Sequence, residues 1–310
     1  MRIVFFGSSQ FSVPSLKALA DARYDIAAVV TPPDKKAGRG LKIRPTEVKE
    51  FSLERGFFVL QPSHPNKDKN FLKNLKELKA DVFAVVAYGH ILSGEIIDMP
   101  HFFTINLHPS LLPKYRGSAP INWVLINGDE KTGVSIIKVI KQMDAGPVIY
   151  QQEEKIFKDD TAVSLGQRLA EKGAEALVKA VSLIETGKII FISQNEEVVT
   201  FAPKLKKEDA LINFKLPAHV LYNKIRGMAG WPTAFTFFKN KRVELLETDY
   251  EKIKTECFPS VIVDISKENI KVAAGEEILV IKKVKPEGKK EMPAADFARG
   301  CRLKKGDKVV

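Results

Sequence analysis

Arg2-Ile3-Val4-Phe5-Phe6-Gly7-Ser8-Ser9-Gln10 leads, through a helical pattern from about Phe11 to Asp21, into Asp25-Ile26-Ala27-Ala28-Val29-Val30-Thr31. Both β-rich runs are apolar along their length rather than alternating, which is how strands read when both of their faces are covered. Strand, helix, strand in that order is the unit of a parallel sheet. The rhythm continues, with strands expected at Phe57–Leu60, Asp81–Ala87, Phe103–Leu107 and Val134–Val139, and helices near Thr46–Glu54, Asp68–Lys79 and Ala119–Ile126. A long helix from Thr161 to about Glu185, with Asp160 as its N-cap and Gly187 near its end, closes the first domain.

Residues 194–208 mix polar side chains with Pro203 and Lys204-Leu205-Lys206-Lys207, and read as a linker. A short helix near Pro217–Gly227 then precedes short strands around Phe235, Val243, Val261, Ile270 and Leu279. Such strands with one helix suit a small, OB-like β-barrel, while the pattern alone leaves a sandwich open. The expected fold is α/β: a doubly wound, mostly parallel, Rossmann-like sheet in residues 1–193, the linker 194–208, and a C-terminal small β-barrel domain, 209–310.

Composition agrees with two cores, since the chain has 310 residues of which 45% are hydrophobic. No stretch approaches the roughly 20 apolar residues of a membrane span. The apolar run after Met1 is too short for a secretory leader, so a soluble, cytoplasmic protein with no membrane partner is expected. Cys257 and Cys301 show no zinc spacing and the histidines are scattered, so no metal is expected and both thiols are expected to be reduced. The net charge of +11 is uneven. Residues 201–310 hold 23 Lys and Arg against 15 Asp and Glu, and Thr31–Lys49 holds six basic residues against two acidic ones. Charge gathered in two places points to a polyanionic partner, against the alternative of a lysine-rich solvated surface.

The most specific chemistry lies in Asn106-Leu107-His108-Pro109-Ser110-Leu111-Leu112-Pro113-Lys114-Tyr115-Arg116-Gly117. Asn106 and His108, two apart at the end of a strand, project to one side. Pro109 and Pro113 restrict the loop that follows. Asp144, in Met143-Asp144-Ala145-Gly146-Pro147, follows the next strand and could be an ordinary turn former. Taken together, an amide donor, an imidazole and a carboxylate at neighbouring strand ends suit attack of an amine on a carbonyl carbon, which needs donors for the oxyanion and an acceptor for the amine proton. Gly7-Ser8-Ser9, between strand and helix, could hold an anion or a polar ligand end. It lacks the full glycine pattern of a dinucleotide site.

The sequence resembles the methionyl-tRNA formyltransferases of the formyl-folate-dependent superfamily. The resemblance runs from Val4-Phe5-Phe6-Gly7 through Pro33-Asp34-Lys35-Lys36-Ala37-Gly38-Arg39-Gly40, Val85-Val86-Ala87-Tyr88-Gly89 and the Ser110–Gly117 loop to Ala202-Pro203-Lys204-Leu205, Ile225-Arg226 and Trp231-Pro232. It departs from the family at Gly7-Ser8-Ser9, where members often carry Gly-Thr-Pro, and the C-terminal strands match loosely. The resemblance implies transfer of a formyl group from 10-formyltetrahydrofolate to the amine of charged initiator tRNA, by a monomer. It implies that Asn106 and His108 stabilise the oxyanion and that Asp144 assists proton removal. Val86, Ala87, Tyr88, Gly89, Ser110, Leu111, Leu112 and Pro113 would wall the folate cleft. Lys35, Lys36, Arg39, Lys42 and Arg44, in the long loop Pro32–Pro45, would meet RNA phosphates together with Lys206 and Lys207. A formyltetrahydrofolate hydrolase or sugar-amine formyltransferase would use the same trio, and a non-catalytic RNA-binding protein would not need it intact.

Overall fold

The structure, a computed structural model, describes residues 1–37 and 42–309. Contacts divide the chain into two compact units that alternate along the sequence. Met1–Gly117, Lys131–Lys155 and Gly166–Phe201 form one, and Ser118–Glu130, Ile156–Leu165 and Ala202–Val310 the other.

The first unit is built on a seven-stranded sheet. Its elements are β1 (Arg2–Gly7), α1 (Val13–Asp21), β2 (Asp25–Val30), β3 (Lys35–Ala37), β4 (Lys42–Arg44), α2 (Glu47–Glu54), β5 (Val59–Leu60), α3 (Lys69–Glu77), β6 (Val82–Val86), α4 (Gly94–Ile97) and β7 (Phe103–His108). After α5 (Pro120–Ile126), which groups with the second unit, come β8 (Lys131–Lys138), β9 (Val148–Lys155) and the long α6 (Ala162–Glu185). The order is β5-β2-β1-β6-β7-β8-β9, with parallel pairing from β5 to β7 and antiparallel pairing of β8 and β9. Ile3 to Phe6 of β1 and Val82 to Ala84 of β6 are buried on consecutive residues, so both faces of the central strands are covered, as their apolar runs require.

Local signals set the helix starts. The side chain of Thr46 accepts the Lys49 N–H at 3.1 Å to cap α2, and that of Asp68 accepts the Phe71 N–H at 3.0 Å to cap α3. For α6 the expected cap shifts by one residue: Thr161 Oγ1 accepts the Ser164 N–H at 3.2 Å, while Asp160 instead accepts from Phe157 N–H and the Ser164 hydroxyl. β9 was not foreseen. Beyond Val148-Ile149-Tyr150 it is Gln151-Gln152-Glu153-Glu154-Lys155, the polar alternation of an edge strand, which carries little hydrophobic signal.

The second unit contains α5, α7 (Ala218–Gly227), β10 (Phe235–Phe238), β11 (Lys241–Glu251), β12 (Ile262–Ile265), β13 (Ile270–Ala274), β14 (Glu277–Pro286), β15 (Met292–Pro293) and α8 (Ala294–Cys301). One antiparallel sheet runs β10-β11-β14-β13-β12, with β15 on β14. The C-terminal residues then bridge both edges: Val309 pairs with Phe238 of β10, and Lys308 with Val261 beside β12. This single curled sheet is a half-barrel rather than two stacked sheets, which separates the two architectures that the sequence pattern left open. Its core gathers Phe214, Leu221, Ile225, Phe238, Val243, Ile270, Leu279, Ile281 and Phe297. α8, with Ala294, Ala295, Phe297 and Ala298 buried, was not foreseen.

Candidate active site

The chain passes from β1 to β2 and β5 on one side of the sheet and returns through β6 and β7 on the other, so the switch point lies between β1 and β6. Ligands of open α/β sheets bind beyond the C-terminal strand ends at such a point. The turn after β6 is there: Ala87 is exposed and left-handed at φ 45°, and Gly89 is left-handed at φ 83°. Ser8 donates to the Ala87 carbonyl at 2.6 Å and Ser12 to that of Val86 at 2.7 Å, tying this turn to the end of β1. The Tyr88 side chain points into the core, edge-on to Phe6 at 5.4 Å, and burial pushes its phenol up to about 12. Tyr88 therefore offers this crevice its backbone.

β7 lies next to β6 and carries Asn106 and His108 on one face. The Asn106 amide has no hydrogen-bond partner among the described residues and is half-buried. His108 is buried at 4% exposure, and its Nε2 donates to the Tyr115 carbonyl at 2.9 Å. That bond assigns the tautomer: the neutral ring carries its lone pair on Nδ1. Nδ1 stands 3.6 Å from Asp144 Oδ2, which also accepts the Gly117 N–H at 2.9 Å. Burial holds the His108 pKa below the usual imidazole value, against the opposing pull of the Asp144 carboxylate and the Tyr115 carbonyl. Asp144 is left-handed at φ 52°. Gly146 follows it because a Cβ there would lie 1.7 Å from the Lys138 carbonyl oxygen.

The loop after β7 is pinned by β8 and β9. Ser135 Oγ donates to the Ser110 carbonyl at 2.5 Å, and it accepts the Leu112 N–H at 3.0 Å and the Gln151 amide at 2.8 Å. Gln151 also donates to the Leu112 carbonyl at 2.8 Å, and Ser110 Oγ to that of Lys114 at 2.6 Å. Ser110 and Leu112 are buried, Leu111 and Pro113 half-buried, and the Leu112–Pro113 peptide is cis.

Sequence reasoning missed Ser135 and Gln151, and it missed the segment after α6. Gln194 donates to the carbonyls of Asp144 and Gly146, Glu196 pairs with Arg116 at 2.7 Å, and Thr200 accepts the Tyr115 N–H. No spacing rule links positions so far apart, so only Arg116, in the motif itself, carried a signal. Lys35 and Arg44 are exposed and pair as backbone in the β3–β4 hairpin, with Lys36 and Lys42 between them, and Arg39 lies outside the described residues. Lys206 and Lys207 are exposed in the second unit. Among the described residues no group of three or more His, Cys, Asp or Glu could hold a metal ion, both cysteines are free, and no helix is long and apolar enough to cross a membrane.

An imidazole, a carboxylate and an unpartnered amide thus gather beyond the C-terminal end of β7, one strand from the switch point, and these are groups of the kind that acyl transfer uses. Comparison with known proteins gives its class: residues 1–181 match the formyl transferase family and residues 204–302 the formyl transferase C-terminal domain. Methionyl-tRNA formyltransferase of Caldanaerobacter subterraneus subsp. tengcongensis is 41% identical over 307 residues, covering 99% of each chain. That of Thermodesulfovibrio yellowstonii is 41% identical over 304 residues, covering 98% of this chain and 97% of its own. The solved N-formyltransferase from Helicobacter canadensis, in complex with folinic acid and dTDP-3-aminofucose, shares the fold, with a TM-score of 0.66 at 16% identity over 90% of this chain and 98% of its own. The chain belongs to the formyl transferase family and, within it, to the methionyl-tRNA formyltransferases.

Proposed function

We infer that the protein transfers the formyl group of 10-formyltetrahydrofolate to the amino group of methionyl initiator tRNA, giving N-formylmethionyl-tRNA for translation initiation. The observation that carries this reading is the pair of acceptors, His108 Nδ1 and Asp144 Oδ2, converging at 3.6 Å beside the unpartnered Asn106 amide. Two acceptors so close take an N–H donor between them, and the attacking amine is one. As the amine nitrogen bonds to the formyl carbon, negative charge moves onto the formyl oxygen, where the Asn106 amide donates. The amine proton passes to Nδ1. Asp144 then faces an imidazolium rather than a neutral ring, which stabilises the charged form, and that N–H can serve the oxyanion in turn. His108 acts in this scheme as acceptor first and as oxyanion donor afterwards, because Tyr115 occupies its other nitrogen. As the oxyanion collapses back to the carbonyl, the bond from the formyl carbon to the folate nitrogen breaks and the imidazolium returns its proton to that nitrogen as it leaves, which restores the neutral ring of His108.

The folate would lie beyond the turn after β6. A flat, amide-like ring system is recognised by peptide edges and apolar walls, and the turn Val86–Gly89 and the loop Ser110–Pro113 offer both. The basic residues of the Pro32–Pro45 loop and the second unit would hold tRNA phosphates, so residues 1–193 serve as the folate and catalytic part and residues 209–310 as the tRNA-binding part. The protein would work as a monomer in the cytoplasm. Incubation with 10-formyltetrahydrofolate and charged initiator tRNA should yield formyl-methionine. Release of formate that does not depend on tRNA would instead mark a hydrolase.

A further inference from the structure

Asp144 is useful only if its carboxylate faces His108, yet it sits in a loop and in a backbone conformation that non-glycine residues disfavour. Something must hold it. Its own carboxylate supplies one tie, to Gly117 N–H. The rest comes from the segment after α6. Gln194 Nε2 donates to the Asp144 carbonyl at 2.8 Å and to the Gly146 carbonyl at 2.7 Å, so one amide grips the loop on both sides of Ala145. Arg116 grips the other end of the same amide: its Nε and Nη2 donate to Gln194 Oε1 at 3.0 and 2.8 Å.

Those contacts leave the amide one orientation. Turned over, it would set its NH2 against the guanidinium and its oxygen against two carbonyls. Arg116 is buried at 3% exposure, and its remaining fork is filled by both carboxylate oxygens of Glu196, at 3.1 and 2.7 Å. Backbone bonds brace the same region: Arg116 N–H to the Thr200 carbonyl at 2.9 Å, and the reciprocal pair between Val148 and Ile192. The segment from Ile192 to Phe201 thus spans the loop that carries Asp144 and the loop that carries Tyr115 and Gly117.

We propose that Gln194, oriented by Arg116 and Glu196, is a positioning residue for formyl transfer, holding the Asp144 carboxylate against the imidazole of His108. The proposal rests on the catalytic reading given above. It makes the Gln194 amide NH2 the feature that matters, with Arg116 as its orienting charge.

The test compares Gln194→Ala and Gln194→Glu with the unaltered full-length protein in steady-state formylation of charged initiator tRNA, alongside thermal melting. Gln194→Glu keeps the size and strengthens the pairing with Arg116, but it replaces the two donors with an oxygen that repels both carbonyls. Because the pairing with Arg116 is kept, its melting temperature should stay at or above that of Gln194→Ala, while kcat falls on the order of ten- to a hundredfold, with KM for folate and tRNA little changed. Gln194→Ala should lose kcat similarly. In an Asp144→Asn background, Gln194→Ala should have little further effect, because the group it positions is already gone. A Gln194→Glu variant that keeps its kcat, or effects that multiply fully in the double variant, would overturn the proposal and leave Gln194 a structural residue. If the parent protein itself fails to formylate charged tRNA, the catalytic reading falls instead.

Discussion

Ser135→Ala removes one oxygen on which three hydrogen bonds of the folate-side loop converge. Gln151 keeps its second acceptor, the Leu112 carbonyl, so the groups left bare are the Leu112 N–H and the Ser110 carbonyl. Ser110 and Ser135 are 0% exposed and Leu112 is 5% exposed, so water cannot easily replace the lost partner. Stranding a buried donor or acceptor costs about 1–3 kcal/mol, so the pair should cost about 2–6 kcal/mol. At about 2–4 °C per kcal/mol for a domain of the first unit's size, its melting temperature should fall by about 4–24 °C. The loosened loop should also bind folate less well, and KM for 10-formyltetrahydrofolate should rise several-fold while KM for charged tRNA stays the same. Differential scanning calorimetry and steady-state kinetics with each substrate varied would measure both. A variant that melts within about 2 °C of the parent and keeps its folate KM would refute the reasoning, since it would mean that Ser135 does not pin the loop.

His108→Ala and Asp144→Asn should each lower kcat by roughly 10²-fold with tRNA affinity nearly unchanged, measured by single-turnover formylation and equilibrium binding. Because burial lowers the folded His108 pKa, the unfolded chain binds the extra proton as pH falls below about 6.5, so stability should drop on acidification through that range and be fully present above it. His108→Gln should flatten that part of the profile in denaturant titrations at pH 5.5 and 7.5, and an unchanged acid slope would count against it. Lys282 and Lys283 are already paired with Asp249 and Glu291, whereas Lys206, Lys207, Lys289 and Lys290 are exposed and make no ion pair among the described residues. Neutralising those four should weaken every tRNA alike and flatten the salt dependence by roughly 0.7–0.9 in log–log slope per lost phosphate contact. Arg39→Ala should instead depress turnover more than affinity, and a variant that loses only salt-sensitive binding would make the loop an ordinary charged patch.

Elements whose information is local were legible. The apolar runs Ile3–Phe6 and Val82–Val86 announce strands covered on both faces, and Thr46 and Asp68 announce helix starts, because a cap is made within a few residues of itself. Asn106 and His108 were legible as a same-face pair for the same reason: a two-residue period is a local property. β9 was hidden because an edge strand needs few apolar residues, and α8 because Ala-Ala-Asp-Phe-Ala-Arg shows its amphipathic face only against a core.

By itself, then, the sequence determined which residues could do the chemistry, which strand would carry two of them, and which family the chain resembles. Folding decided what those residues are able to do. The tautomer of His108 depends on the Tyr115 carbonyl, the aim of Asp144 on Gly117 and Gln194, and the stiffness of the Ser110–Pro113 loop on Ser135 and Gln151. The physical reason is range. Propensity, capping and periodicity act over a few residues, whereas a buried polar group takes whichever partner the packed chain delivers, here from segments up to 85 positions away.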